Sequence, residues 1–169
     1  PPYTPQKLMP AHQSIMHRAA AAWSGAMGRG PLPAIVLHGP DPSSARDIAA
    51  GVCTELGLRL EILPARSLPQ NPNDLVNLIR LWEREGALSS SALLLDCGDD
   101  GLAEASREAN ASDFVERMPG AVFLYCRERR AFRRRLTTCF EVSRPAAMEQ
   151  RDVWNAVLGQ SACPLDGQL

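Results

Sequence analysis

Between the apolar run Ala34 to Leu37 and an amphipathic stretch opening at Ser43 lies His38-Gly39-Pro40-Asp41-Pro42-Ser43-Ser44-Ala45-Arg46. A turn leading from a buried strand into a helix is where a chain can cradle phosphate. The usual means are backbone N–H groups at the helix N-terminus, a lysine ammonium and a magnesium-ligating hydroxyl, in the pattern G-x-x-x-x-G-K-[ST]. Gly39 opens that frame and the remainder departs from it. Pro42 removes a donor and fixes φ near about −65°. Ser44 stands where the second glycine is expected, and it does not take positive φ as cheaply. Ala45 replaces the lysine; a charge-assisted hydrogen bond is worth about 1.5 to 3 kcal/mol, so its loss costs roughly one to two decades of affinity. Arg46 occupies the hydroxyl position with donors and no acceptor, and cannot ligate a metal. Ser44 and Asp47 have the spacing of a capping box, which predicts that the helix satisfies its own terminal N–H groups. One alternative stays open: the Arg46 guanidinium could itself contact phosphate, making nucleotide binding independent of Mg²⁺.

Other reactive side chains point less sharply. Arg127, Arg129, Arg130, Arg133, Arg134 and Arg135 form the densest charge cluster, which reads as a solvated helix face or an interface with an acidic partner. Only Phe132 interleaves them and the formal net charge is -1, which argues against nucleic acid as the ligand. The chain carries 5 cysteines, with no C-x-x-C pair and no histidine at a zinc-ligand spacing, so neither a disulfide framework nor a metal site is expected. Most of them sit in apolar runs, as buried thiols of a reducing cytoplasm do. His12, His17 and His38 converge on no ligand set or catalytic order. Trp23, Trp82 and Trp154 fall on apolar helix faces and read as core or interface.

Positioning these residues requires a scaffold, and 169 residues at 45% hydrophobic composition suffice for one domain. Its expected bounds are residues 11–159, with a Pro-rich linker over 1–10 and a tail over 160–169, as in a fragment of a longer chain. No apolar stretch approaches the roughly 18 residues needed to cross a bilayer, and no signal-peptide pattern opens the sequence. Hydrophobic periodicity predicts a helix from Ala11 ended by Gly25 and Gly28, then alternating strands and helices. Strands are expected at Ala34 to Leu37, Leu58 to Leu63, Ala92 to Asp96, Ala121 to Cys126 and Cys139 to Val142. The intervening helices fall at Ser43 to Leu56, Asn73 to Glu85, Gly101 to Arg117 (broken) and Ala131 to Leu136, with a last helix at Met148 to Leu158. Helical crossovers make the strands parallel, so the fold class is a three-layer α/β/α sandwich on a five-stranded parallel sheet. Ligands of such sheets gather at the carboxyl ends of the strands.

The order of these pieces resembles the nucleotide-binding domain of AAA+ ATPases, within the P-loop NTPase fold. Gly39-Pro40 matches the opening of that family's loop, G-P-P-G-T-G-K-T, and Glu55 to Leu63 its second strand with lead-in. Ala92 to Asp100 is similar to a Walker B strand ending in Asp96, and Ala121 to Cys126 to the sensor strand. Arg134 to Pro145, followed by Arg151, resembles the family's arginine pair, fifth strand, proline and downstream arginine. The resemblance implies a nucleotide site at Gly39, Pro40, Ser43, Ser44, Arg46 and Asp96, here vestigial, and nominates Arg134 and Arg135 as arginine fingers or interface residues. Cys97 stands where the family's water-polarising glutamate belongs, and Arg127 and Glu128 where its sensor offers Asn or Thr. Asp99 and Asp100 could replace the glutamate, or simply form a turn beside Gly98 and Gly101. Hydrolysis needs metal, lysine and positioned water together.

The resemblance thus implies a degenerate module of a larger bacterial AAA ATPase. It would have weak or no ATP binding, no cofactor and no catalytic residue of its own. Such a module would act structurally, packing on an active module of the same chain, joining a ring or recruiting a protein partner in the cytoplasm. The family's helical lid is absent from these residues or follows them. The rival is an ATPase with an unorthodox loop that uses ATP and Mg²⁺ through Arg46, Asp96 and Asp99 or Asp100. A response-regulator-like α/β domain is a third reading, to be favoured by an edge position of the Ala34 strand and excluded by a central one.

Overall fold

The computed structural model describes residues 8–98 and 105–144. Helix α1 (Pro10–Ala26) precedes strand β1 (Ala34–His38), and α2 (Pro42–Glu55) leads to β2 (Arg59–Pro64). After a short 3-10 turn at Ala65–Ser67 come α3 (Pro72–Ser89), β3 (Ser91–Asp96), α4 (Ala105–Arg117), β4 (Val122–Cys126) and β5 (Thr137–Glu141). The five strands form one sheet in the order β2-β3-β4-β1-β5, every pair parallel. This is the expected sandwich. The central strands are apolar throughout because both faces are covered; Ile35, Val36 and Leu37 are wholly buried.

Alternation along each strand sorts the core into two layers. Ile35, Leu37, Leu94, Phe123 and Tyr125 face α1 and α2, where Ala19, Ala20, Trp23, Ala45, Ile48 and Val52 meet them. Val36, Leu93, Leu95, Leu124 and Cys126 face α3 and α4, against Leu75, Ile79, Phe114, Val115 and Met118. Trp23 tilts onto Phe123 with ring centroids 4.5 Å apart, and its indole N–H donates to the Pro33 carbonyl at 2.9 Å. Gly51 marks where α1 crosses α2; a Cβ there would come within 2.9 Å of Leu8 and closer to Met16.

β1 is interior, between β4 and β5. Interior placement alone does not separate the alternatives, since the flavodoxin-like order 2-1-3-4-5 also has an interior first strand; its neighbours do, because there β1 pairs with β2 and β3. The response-regulator-like reading is therefore excluded. Two local expectations change. Residues 131–136 are irregular, where a helix was predicted. A helix of that length is marginal by itself, and here the segment is pinned to α4 by Arg130 on Glu108 at 3.1 Å and by the Arg133 N–H on Glu116 at 2.8 Å. Helix α1 starts at Pro10 and runs through Gly25, so its beginning overlaps the predicted linker. The predicted helix at Met148 to Leu158, Trp154, Arg151 and the 160–169 tail lie outside the described residues, as do Asp99, Asp100 and Gly101.

Candidate functional site

The connection leaving β1 runs to α2 on one face, while the segment leaving β4 lies against α4 on the other. This topological switch places the ligand crevice of an open parallel sheet at the carboxyl ends of β1 and β4. His38 to Arg46, Asp96 to Gly98, Cys126 to Glu128 and Ser143 to Arg144 follow or end the strands there.

Gly39 is held from three sides. Its N–H donates to the Cys126 carbonyl at 3.1 Å, its own carbonyl accepts the Tyr125 hydroxyl at 2.9 Å, and the Val142 carbonyl packs against its Cα. With φ at +148 and a Cβ that would overlap Val142, the position admits glycine alone. Its role here is to let the loop pass between β4 and β5. Burial of Tyr125, followed by the nearby Asp96 and Asp41 carboxylates, raises its phenol pKa, so the hydroxyl remains a donor.

Helix α2 then begins with its N-terminus already occupied. Asp41 is the N-cap and Pro42 the first helical residue, the arrangement in which a proline's missing N–H costs nothing. The Asp41 carboxylate accepts from the N–H groups of Ser43 and Ser44 at 3.1 and 3.2 Å and from the Ser44 hydroxyl at 2.7 Å. The predicted Ser44–Asp47 capping box is corrected to an Asp41 cap: the helix starts earlier, which moves Ser44 inside it. The outcome is the one anticipated, with the donors that would cradle a phosphate bound to the chain's own carboxylate. Ser44 and Ala45 are buried, and Ser43 is exposed beside Pro40.

One turn further on, Arg46 reaches across to Asp96 at the end of β3. Its Nε and a terminal nitrogen both donate to Asp96 Oδ2, at 3.1 and 2.6 Å, and the Gly98 N–H donates to Oδ1 at 2.9 Å. The Asp96 side chain is only 9% exposed and that of Arg46 39%. A guanidinium thus bridges the two positions that would flank a magnesium ion, and it saturates the carboxylate that would hold it. Cys97 turns to the opposite face, into the α3/α4 layer, where burial pushes its thiol up to about 12; it remains neutral and offers no base. Burial likewise raises Cys126 to about 11.

The two finger candidates separate. Arg135 is turned inward: it donates to the carbonyls of Leu32 at 3.0 Å, Val115 at 2.9 Å and Gly120 at 2.6 Å, and to that of Met118. These include carbonyls left without helical partners at the end of α4. Burial lowers its pKa to about 10, so it stays charged at neutral pH, and every observed contact is structural. Arg134 is exposed. The histidines stay apart, His12 on the Ser143 carbonyl at 3.1 Å and His17 on Glu55 at 3.0 Å. Among the described residues no group of three or more His, Cys, Asp or Glu side chains could hold a metal ion.

Sequence reasoning missed Asp41 as the cap, although Asp-Pro before an amphipathic run signals it. It also missed Tyr125 and Arg144. Arg144 follows β5 and, among the described residues, lines a cavity of about 270 Å³ together with Gly39, Pro40 and Arg127. A larger groove of about 460 Å³ lies between α1 and α2, away from the strand ends.

No protein-family model matches the chain, and no curated protein matches it in sequence. Among solved structures, that of a Rhizobiales Trip13 is similar at a TM-score of 0.44 and 16% identity, over 90% of this chain and 67% of that one.

Proposed function

We propose that this chain is a degenerate AAA+-like module of a larger ATPase that serves as a structural or interaction domain, with weak or no ATP binding and no hydrolysis of its own. The observation that carries the reading is the Arg46–Asp96 pair at 2.6 Å. A magnesium triphosphate would have to displace a guanidinium from a nearly buried carboxylate and also displace the Asp41 carboxylate from the helix N-terminus. Each displacement exposes charges now paired, and a bound phosphate would face Asp41 as a like charge. The pairing also weighs against Arg46 acting as a metal-free phosphate ligand, since its donors are engaged with Asp96. Exposed arginines such as Arg129, Arg133 and Arg134 supply contacts for an active module, a ring neighbour or an acidic protein partner. The free cysteines Cys53, Cys97, Cys126 and Cys139 fit a reducing cytoplasmic setting. Among the described residues, no helix is long and apolar enough to cross a membrane.

Isothermal titration with ATP, with and without Mg²⁺, tests the assignment alongside a phosphate-release assay. The expected result is no magnesium-dependent heat and no release. Micromolar, magnesium-dependent binding with phosphate release, both lost in Asp96→Asn, would establish the rival ATPase.

A further inference from the structure

We propose that the crevice between the ends of β4, β1 and β5 is a metal-independent site for a small phosphate-type oxyanion, held by Arg127 and Arg144. The cradle of the neighbouring loop is closed by Asp41 and by the Arg46–Asp96 pair, yet the carboxyl edge of the sheet keeps an opening of about 270 Å³. Among the described residues, its side-chain charges are the guanidiniums of Arg127, leaving β4, and Arg144, leaving β5. They reach the cavity from strands on either side of β1, and the Gly39-Pro40 backbone forms the wall between them.

Physical chemistry favours an oxyanion there. A guanidinium presents five donors in a planar fork that fits phosphate or carboxylate oxygens, so a contact with the protein leaves others available to a ligand. Two such forks on one cavity suit a group with three or more acceptor oxygens and about two negative charges, which a phosphate or phosphomonoester supplies and a single carboxylate does not. The acidic groups nearby do not fill this role: Asp41 is committed to its helix cap and Asp96 to Arg46. Glu128 and Glu141 are exposed next to the crevice and do not line it. The wall is closed by Gly39, which cannot accept a side chain, so the cavity's shape is fixed by the sheet. No metal is required, because the two arginines supply the countercharge.

This site goes beyond the assignment above and does not depend on it, since the two use different residues. The full chain is titrated with inorganic phosphate at constant ionic strength against chloride, following amide and arginine Nε resonances by ¹⁵N NMR and phosphate linewidth by ³¹P NMR. Saturable shifts at Gly39, Arg127 and Arg144, insensitive to EDTA, are expected. Arg127→Gln and Arg144→Gln should each weaken binding about tenfold, the loss of one charge-assisted contact. Arg134→Gln, an exposed arginine outside the cavity, should leave it unchanged. A parallel titration with AMP distinguishes a free phosphate from a phosphomonoester, whichever saturates at lower concentration. A response that chloride reproduces, that survives both substitutions, or that Arg134→Gln reduces equally would overturn the site. Spectral dispersion of each variant checks that it remains folded. Magnesium-dependent ATP binding abolished by Asp96→Asn and kept by Arg144→Gln would overturn the functional assignment while leaving this site standing.

Discussion

An arginine at position 46 changes what an aspartate at position 96 can do. In a site built for a metal, that carboxylate would wait for a cation; here a covalently attached one already fills its Oδ2, with the Gly98 N–H on Oδ1. The pair is unequal in solvation, the carboxylate nearly buried and the guanidinium more than a third exposed. Removing the arginine therefore strands a charge that water reaches poorly, whereas neutralising the aspartate leaves an arginine that can turn to solvent. Arg46→Met, which keeps the aliphatic stem, should cost about 2 to 3 kcal/mol, and Asp96→Asn about 1 kcal/mol. The double substitution should be less destabilising than the sum of the two, with a coupling of about 1 kcal/mol or more. Urea unfolding of the four proteins measures all three quantities. Equal single costs and additive behaviour would mean that the contact is incidental and that the carboxylate remains open to other cations. The sequence displayed both residues and their separate positions in the frame, but not their meeting. A separation of 50 residues is bridged only by the sheet order, which places β4 between β1 and β3 and lets the first turn of α2 lean over it.

Elements with strong periodicity were legible, and those set by tertiary contacts were not. The five strands appeared as short apolar runs because both faces of the sheet are covered, and α3 as a stripe of Leu75, Leu78, Ile79 and Trp82 that the structure packs into one layer. The segment after β4 misled because six arginines and an alanine suit a helix by propensity, yet hydrogen bonds to α4 and to its terminal carbonyls hold that chain irregular. Helix α2 was read one residue late because Ser44 and Asp47 imitate a capping box while Asp41 and Pro42 form the actual start. That difference is measurable. An N-cap aspartate replaced by alanine costs about 1 to 2 kcal/mol, while asparagine keeps an acceptor oxygen and costs little. Asp41→Ala should accordingly lower the urea midpoint and Asp41→Asn should nearly preserve it, whereas Asp47→Ala should fall within about 0.5 kcal/mol of the parent. If Asp47→Ala proved the more damaging of the alanine variants, the cap would lie where the sequence suggested.

Over the whole molecule, fold class followed from the alternation of strands and helices, but strand order did not, since periodicity carries no information on which strand β1 adjoins. That order decides where the crevice lies, and hence why Arg144, unremarkable in the sequence, stands opposite Arg127. It also fills both core layers with thiols, Cys53 among the α1/α2 residues and Cys97 and Cys126 among those of α3 and α4. These burials couple global stability to alkaline pH. Burial raises Cys53 and Cys97 from 9.0 to about 12 and Cys126 to about 11, so in the folded chain all three stay protonated well past the pH at which an unfolded chain loses their protons. Above pH 9 the unfolded state binds fewer protons than the folded one, and stability must fall as pH rises. The contribution is complete below about pH 9 and declines toward pH 11 to 12, at a limiting slope of about 1.4 kcal/mol per pH unit for each thiol. Arg135, lowered to about 10, contributes with the opposite sign above that value, because there the unfolded chain holds the extra proton; the clean window is pH 9 to 10. Urea midpoints under reducing conditions should be level from pH 7 to 8.5 and drop through that window. Cys97→Ala or Cys53→Ala should each flatten the drop by a similar amount despite lying on opposite faces of the sheet. A drop of unchanged steepness in the chain lacking all three thiols would assign the alkaline loss to other groups and show these cysteines to be less enclosed than the packing implies.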